Sequence, residues 1–143
     1  MERIVGIDYG KKRTGVAVSD PLGVFASAIE TVPSGAIVEY LKNYTQKERV
    51  SRFVVGYPMN LNNTPSEGAK FVDQFLNLLR KHFPDIPVSL EDERFTSKIA
   101  FQTMIDGGVK KMNRRDKSMV DKISAAIILQ SYLDSSALKR SRG

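Results

Sequence analysis

Two runs rich in β-branched residues, 3 to 9 and 14 to 19, are joined only by the glycine-led stretch GKKR, and no other feature constrains the fold of this chain as tightly. So short a connection between two such runs predicts an antiparallel hairpin. Asp20-Pro21-Leu22-Gly23 closes the second strand, and a third is expected at 26 to 32. Ile37, Leu41 and Tyr44 then recur at helical spacing between 35 and 48, and RFVVGYP at 52 to 58 is the short apolar run of a strand buried inside a sheet, ended by Pro58.

Thr64-Pro65-Ser66-Glu67 combines a capping residue, a proline in the first helical position and an acid three residues after the cap, which predicts a helix start. Phe71, Val72, Phe75, Leu76, Leu79 and Phe83 form its expected buried stripe, and Pro84 stops it. A fifth strand follows at 87 to 91, then a helix from Thr96 to Gly107-Gly108. The last helix is expected from Ser118 to Ser135, apolar almost all round between Ile123 and Leu129 and therefore deeply packed. Hairpin, strand, helix, strand, helix, strand, helix, helix predicts a mixed five-stranded sheet with helices on its faces, an α/β architecture. The 143 residues fit a single domain, 1–143.

Composition narrows the chemistry. With no cysteine there is no disulfide framework, no thiolate nucleophile and no cysteine-held zinc or iron-sulfur site. Any metal must be held by oxygen or by the lone histidine, His82, which reads as a surface residue at a helix end. The longest apolar run, AAIIL at 125 to 129, is far short of the roughly 20 residues of a membrane span, and the N-terminus enters a strand pattern without a signal-peptide core. The expectation is a soluble cytoplasmic protein. A net charge of +6 permits nucleic-acid binding, so the placement of the cations matters more than their number.

Against this background Asp8 stands out, because an unpaired carboxylate on a buried strand costs several kcal/mol unless something compensates it. One reading has it accept hydrogen bonds from the GKKRTG turn or pair with Lys11 or Lys12. The other makes it a metal ligand at the strand's end. Glu91, Asp92 and Glu93 end another predicted strand, so acids from two strands can meet at one sheet edge; of the three, at most Glu91 and Glu93 share a side. Asp121 also divides two ways, because Ser118-Met119-Val120-Asp121 matches a capping box that needs no catalysis.

GIDYGKKRTGVAVSD at the start, DERFTS at 92 to 97 and DKISAAIILQSYL at 121 to 133 together resemble the YqgF/RuvX family of Holliday-junction-resolvase-like proteins, within the ribonuclease-H-like superfamily. The likeness spans nearly the whole chain. It implies a sheet of order 3-2-1-4-5 with the first three strands antiparallel, and a nuclease site in which Asp8, Glu93 and Asp121 gather Mg²⁺ or Mn²⁺. It also implies maturation of the small-subunit ribosomal RNA precursor, with Holliday junction resolution on DNA as the alternative; cutting a junction's two symmetric strands would call for a homodimer. The broader resolvase group has an acid on the fourth strand and another one turn ahead of the last. Here Gly56 or Tyr57, and Ser118, take those positions, which leaves three carboxylates rather than four.

Oxygen ligands suit Mg²⁺, and two ions about 3.5 to 4 Å apart activate water on one side of a phosphodiester while stabilising the leaving oxygen on the other. No nucleophilic side chain is needed. Lys11, Lys12 and Arg13 flank Asp8, Arg94 adjoins Glu93, and Lys110, Lys111, Arg114 and Arg115 lie in the basic stretch before Asp121, a pattern that suits a polyanion bridged by metal. A solvated loop is the other reading of that stretch. Tyr57 is either a base-stacking residue or core. Two further function classes compete with a nuclease. Asp8, Gly10 and Gly15 also suit a phosphate-cradling kinase or ATPase hairpin, but that arrangement needs two such domains. A non-catalytic nucleic-acid binder would keep the cations and have no use for Asp8 and Glu93.

Overall fold

The computed structural model describes residues 2–59, 62, 66–92 and 117–142. The opening hairpin is present as β1 (Glu2–Tyr9) and β2 (Arg13–Ser19), antiparallel, with Asp8 opposite Gly15 and Tyr9 opposite Thr14. β3 (Ala26–Pro33) pairs antiparallel with β2. A single 3-10 turn, Ser34–Ala36, leads into α1 (Ile37–Lys47), and β4 (Arg49–Tyr57) returns parallel to β1. After α2 (Ala69–His82), β5 (Val88–Asp92) adds parallel to β4, and α3 (Lys117–Arg142) closes the described chain. The sheet order is β3-β2-β1-β4-β5, the ribonuclease-H-like arrangement that the resemblance implies.

Period-2 alternation gives the sheet two different faces. On one, Val5, Ile7, Val16, Phe53 and Val55 pack against Leu41 of α1 and Val72, Phe75 and Leu79 of α2. Aromatic rings fill its ends. Phe53 meets Phe83 edge-on with centroids 5.3 Å apart, and Tyr9 stacks on Phe75 at 4.5 Å. On the other face the contacts are small: Ala17 and Val54 meet Ala125, Ile128, Leu129 and Leu133 of α3. There the helix lies almost on the strand backbone. A Cβ at Gly6 would stand 2.6 Å from Leu129 Cβ, and one at Gly15 would overlap the carbonyl of Asp121.

Several expectations need correction. α2 starts at Ala69, later than the Thr64 cap predicts; its N-cap is Gly68, with no side-chain capping bond. The Ser66 N–H is already taken by the Pro58 carbonyl at 3.1 Å, so the segment from Ser66 to Gly68 is a turn anchored to the end of β4. Thr64 and Pro65 lie outside the described residues. Phe71 does not belong to the buried stripe: it is 40% exposed, with the Lys11 ammonium 5.0 Å above its ring. α3 continues past Ser135 to Arg142, because the following Ala, Leu, Lys and Arg are good helix formers and no Pro or Gly intervenes before Gly143. The helix expected from Thr96 to Gly107 lies outside the described residues. Among the described residues no helix is long and apolar enough to cross a membrane.

Candidate active site

Asp8 is the penultimate residue of β1, at the end where β1 and β4 both finish. Gly6 faces Leu129 and Ala125, so alternation turns Asp8 toward α3 as well. Its partner across the ladder, Gly15, is about 5 Å away at the Cα, as antiparallel pairing dictates. The main chain of Asp121 rests directly on Gly15. One glycine thus brings the strand-end acid and the helix acid to the same place, with no room for a side chain between them.

Asp121 is held from β2. Arg13, on the same side of that strand as Gly15, donates from Nε to Asp121 Oδ2 at 3.1 Å. Both side chains are partly buried, Arg13 38% and Asp121 26% exposed. Since α3 begins at Lys117, Asp121 stands in the second helical turn, and its carboxylate reaches across to Arg13 of the sheet. One turn further along the same helix face, Ser124 is buried, and its Oγ has no hydrogen-bond partner among the described residues. Sequence reasoning missed it. The available signal was a lone hydroxyl opening the apolar run SAAIIL.

The loop bearing the first cations is fixed by Ser34. Its N–H donates to the Lys12 carbonyl at 3.0 Å, its Oγ donates to the Gly10 carbonyl, and Thr14 Oγ1 shares a buried hydrogen bond with it at 2.8 Å. Lys11 and Lys12 are exposed on the loop that follows Asp8, with the Lys11 ammonium over Phe71 of α2, on the sheet face opposite α3. Tyr57 ends β4 with its hydroxyl donating to Asp73 at 3.0 Å; burial, and then this bond, raise the phenol above its ordinary pKa. Glu91 turns to the α3 side, where it accepts a hydrogen bond from Ser131 at 2.9 Å. That point is ten residues along the helix from Asp121, about 15 Å at 1.5 Å per residue, so Glu91 does not join the acid pair. Glu93, Arg94, Lys110, Lys111, Arg114 and Arg115 lie outside the described residues.

Asp8 and Asp121 are hard oxygen donors brought near one another through Gly15, and Ser124 adds a buried hydroxyl one turn along α3; oxygen donors of this kind suit Mg²⁺ or Mn²⁺ rather than a thiophilic ion. Among the described residues no three of His, Cys, Asp and Glu gather closely enough to hold an ion alone. Two carboxylates, Asp121 paired with Arg13, are a partial site that a further acid or phosphate oxygens would complete for a divalent cation.

Compared with known proteins, residues 2–135 match the family model described as RuvX, Holliday junction resolvase. The chain is 53% identical to a protein of Phocaeicola vulgatus named "Putative pre-16S rRNA nuclease", over 94% of this chain and 97% of that protein. It is 52% identical to a protein of the same name from Parabacteroides distasonis, over 94% and 96%. Among solved structures, Thermus thermophilus RuvC in complex with a Holliday junction matches with TM-score 0.59 at 19% identity, covering 96% of each chain. The Fowlpox virus resolvase bound to Holliday junction DNA matches with TM-score 0.58 at 11% identity, covering 93% of this chain and 97% of that one. These two likenesses support the fold alone.

Proposed function

The chain belongs to the RuvX Holliday junction resolvase family, and from that premise we propose that it is a metal-dependent nuclease that hydrolyses phosphodiester bonds in the small-subunit ribosomal RNA precursor. The names of relatives about half identical over nearly the full chain support this substrate. The observation that carries the chemistry is the convergence of Asp8 and Asp121 through Gly15 at the end of β1. Glu93 is the proposed third acid.

In this reading a bound Mg²⁺ or Mn²⁺ supplies Lewis-acid stabilisation of the phosphate charge and a water of lowered pKa. The chain's own residues do the rest. Asp8 and Asp121 would hold the cation at the end of β1. Lys12, on the loop pinned by Ser34, and Arg13 contact the phosphate backbone beside it, and Lys11, Arg94, Lys110, Lys111, Arg114 and Arg115 are the further backbone contacts proposed from the sequence. Water oxygen bonds to phosphorus as its proton leaves to solvent, the bridging P–O bond breaks with its electron pair staying on the leaving sugar oxygen, and that oxygen takes up a proton from solvent. Cytoplasmic localisation and a homodimer are further parts of the proposal; the dimer is needed only for a symmetric junction.

Resolution of four-way DNA junctions is the second reading, favoured by the description of the matching family model. One assay separates them: purified protein with Mg²⁺ or Mn²⁺ is offered structured precursor RNA, single-stranded RNA and a four-way DNA junction side by side. We expect cleavage of the precursor RNA first. Preferential cutting of the junction reverses the order of the two readings, and no cleavage of any substrate with either metal leaves the non-catalytic binder.

A further inference from the structure

The Arg13–Asp121 contact does more than neutralise a charge. It engages Oδ2 of a carboxylate that, in the reading above, belongs to a divalent cation. A guanidinium and a divalent ion on one carboxylate repel each other, and the guanidinium remains charged at any physiological pH. Its place is also well fixed. Arg13 opens β2 opposite Pro33, and the turn before it is tied down by the bonds of Ser34 to Gly10 and Lys12.

We infer that Arg13 is a positioning residue for Asp121 that competes with the metal: it holds the carboxylate in the metal-free protein, gives it up when the cation arrives, and is then free at the mouth of the site to meet a phosphate. By linkage, a phosphate that draws Arg13 away tightens metal binding by the same factor that metal tightens phosphate binding. Nucleic acid and cation therefore load together. This inference rests on Asp121 being a ligand, and its test is built to tell the two apart.

The test is Mn²⁺ binding to the full chain without nucleic acid, by calorimetry, on wild type, Arg13→Gln, Arg13→Lys, Asp121→Asn and the double variant Arg13→Gln/Asp121→Asn, with melting in EDTA as the folding control. A partly exposed pair of this kind contributes modestly, so Arg13→Gln should lower the Mn²⁺ Kd about three- to fivefold, with Arg13→Lys between it and wild type. Asp121→Asn should weaken binding, and adding Arg13→Gln to it should change nothing further. If Arg13→Gln leaves the Kd unchanged or raises it while Asp121→Asn weakens binding, the competition is refuted and the ligand role stands. Should Asp121→Asn bind Mn²⁺ as wild type does, the ligand reading fails and the inference falls with it. Arg13→Lys retains a cation and the aliphatic stem, so it decides the matter if Arg13→Gln does not melt cooperatively.

Discussion

The two faces of the sheet are built on opposite rules. Against α1 and α2 the strands present Ile7, Phe53 and Val55, fully buried and interlocked with Phe75 and Leu79, as a core built for stability should be. Against α3 the same strands present Gly6, Ala17, Val54 and Gly15, and the helix sinks onto the backbone. A thin layer buries less apolar area, and it places main chain and short polar side chains within reach of one another. Asp8, Asp121, Ser124 and the Arg13 guanidinium all belong to this second layer. The proposed site sits where packing volume was given up.

Volume removed from the thick face should therefore have the largest effect on stability and the smallest on the site. Phe53→Ala should cost about 3 to 5 kcal/mol, read from chemical denaturation, while activity per folded molecule stays near wild type. Loss of activity beyond the loss of folded protein would show that the two faces are coupled.

Volume added to the thin face should do the reverse. The Cβ of Gly15→Ala meets main chain that has no rotamer to move, so α3 must shift. Overpacking of this kind costs about 1 to 3 kcal/mol. A displacement of Asp121 by about 1 Å should lower cleavage roughly a hundredfold, well beyond the stability loss. Cleavage falling only in proportion to folded protein would break the link between Gly15 and the site.

A smaller effect is expected one turn along α3. Ser124→Ala removes a buried hydroxyl without a partner among the described residues, so the metal-free protein should gain about 1 kcal/mol, seen as a higher Tm in EDTA. The Mg²⁺ concentration needed for cleavage should rise if that hydroxyl serves the cation's surroundings. A lower Tm would make Ser124 an ordinary structural residue.

The smallest effect lies at the far end of the sheet. Asp20 is held below its ordinary pKa of 3.8, first by the Phe25 N–H, with the Val24 N–H also donating. Its folded value being the lower one, its contribution is complete above 3.8 and disappears as pH falls through the folded value. Tm profiles of wild type and Asp20→Asn should thus separate at neutral pH and converge in acid, with cleavage unaffected at neutral pH. Parallel profiles would remove Asp20 from the turn's energetics.

Much of this arrangement is legible in the residues. The hairpin follows from two β-branched runs around GKKR, and the parallel β4 from the unbroken apolar RFVVGYP. Asp8 is conspicuous because a carboxylate on such a strand demands compensation. What is not legible depends on contacts distant in sequence. Phe71 keeps helical spacing with the buried stripe, yet its position on α2 leaves the ring to Lys11. The α2 start depends on Ser66 being claimed by Pro58. The two readings of Asp121 are equivalent in sequence, since Ser118 at three residues' remove signals a cap, whereas Arg13 is 108 positions away. Gly15 reads as a strand residue, or with Asp8 and Gly10 as part of a phosphate-cradling hairpin, until the helix it admits is in view.

The central claim is that Asp8 and Asp121, brought together over Gly15, hold the metal that hydrolysis requires. Its most direct test is a Mg²⁺ titration of cleavage by Asp121→Asn, with the Tm of the same variant in EDTA. Loss of one negative oxygen donor should raise the Mg²⁺ requirement at least about tenfold, while the metal-free fold changes by no more than about 1 kcal/mol, the worth of its partly exposed pair with Arg13. A less stable variant with an unshifted Mg²⁺ requirement would contradict the account and return Asp121 to a structural role.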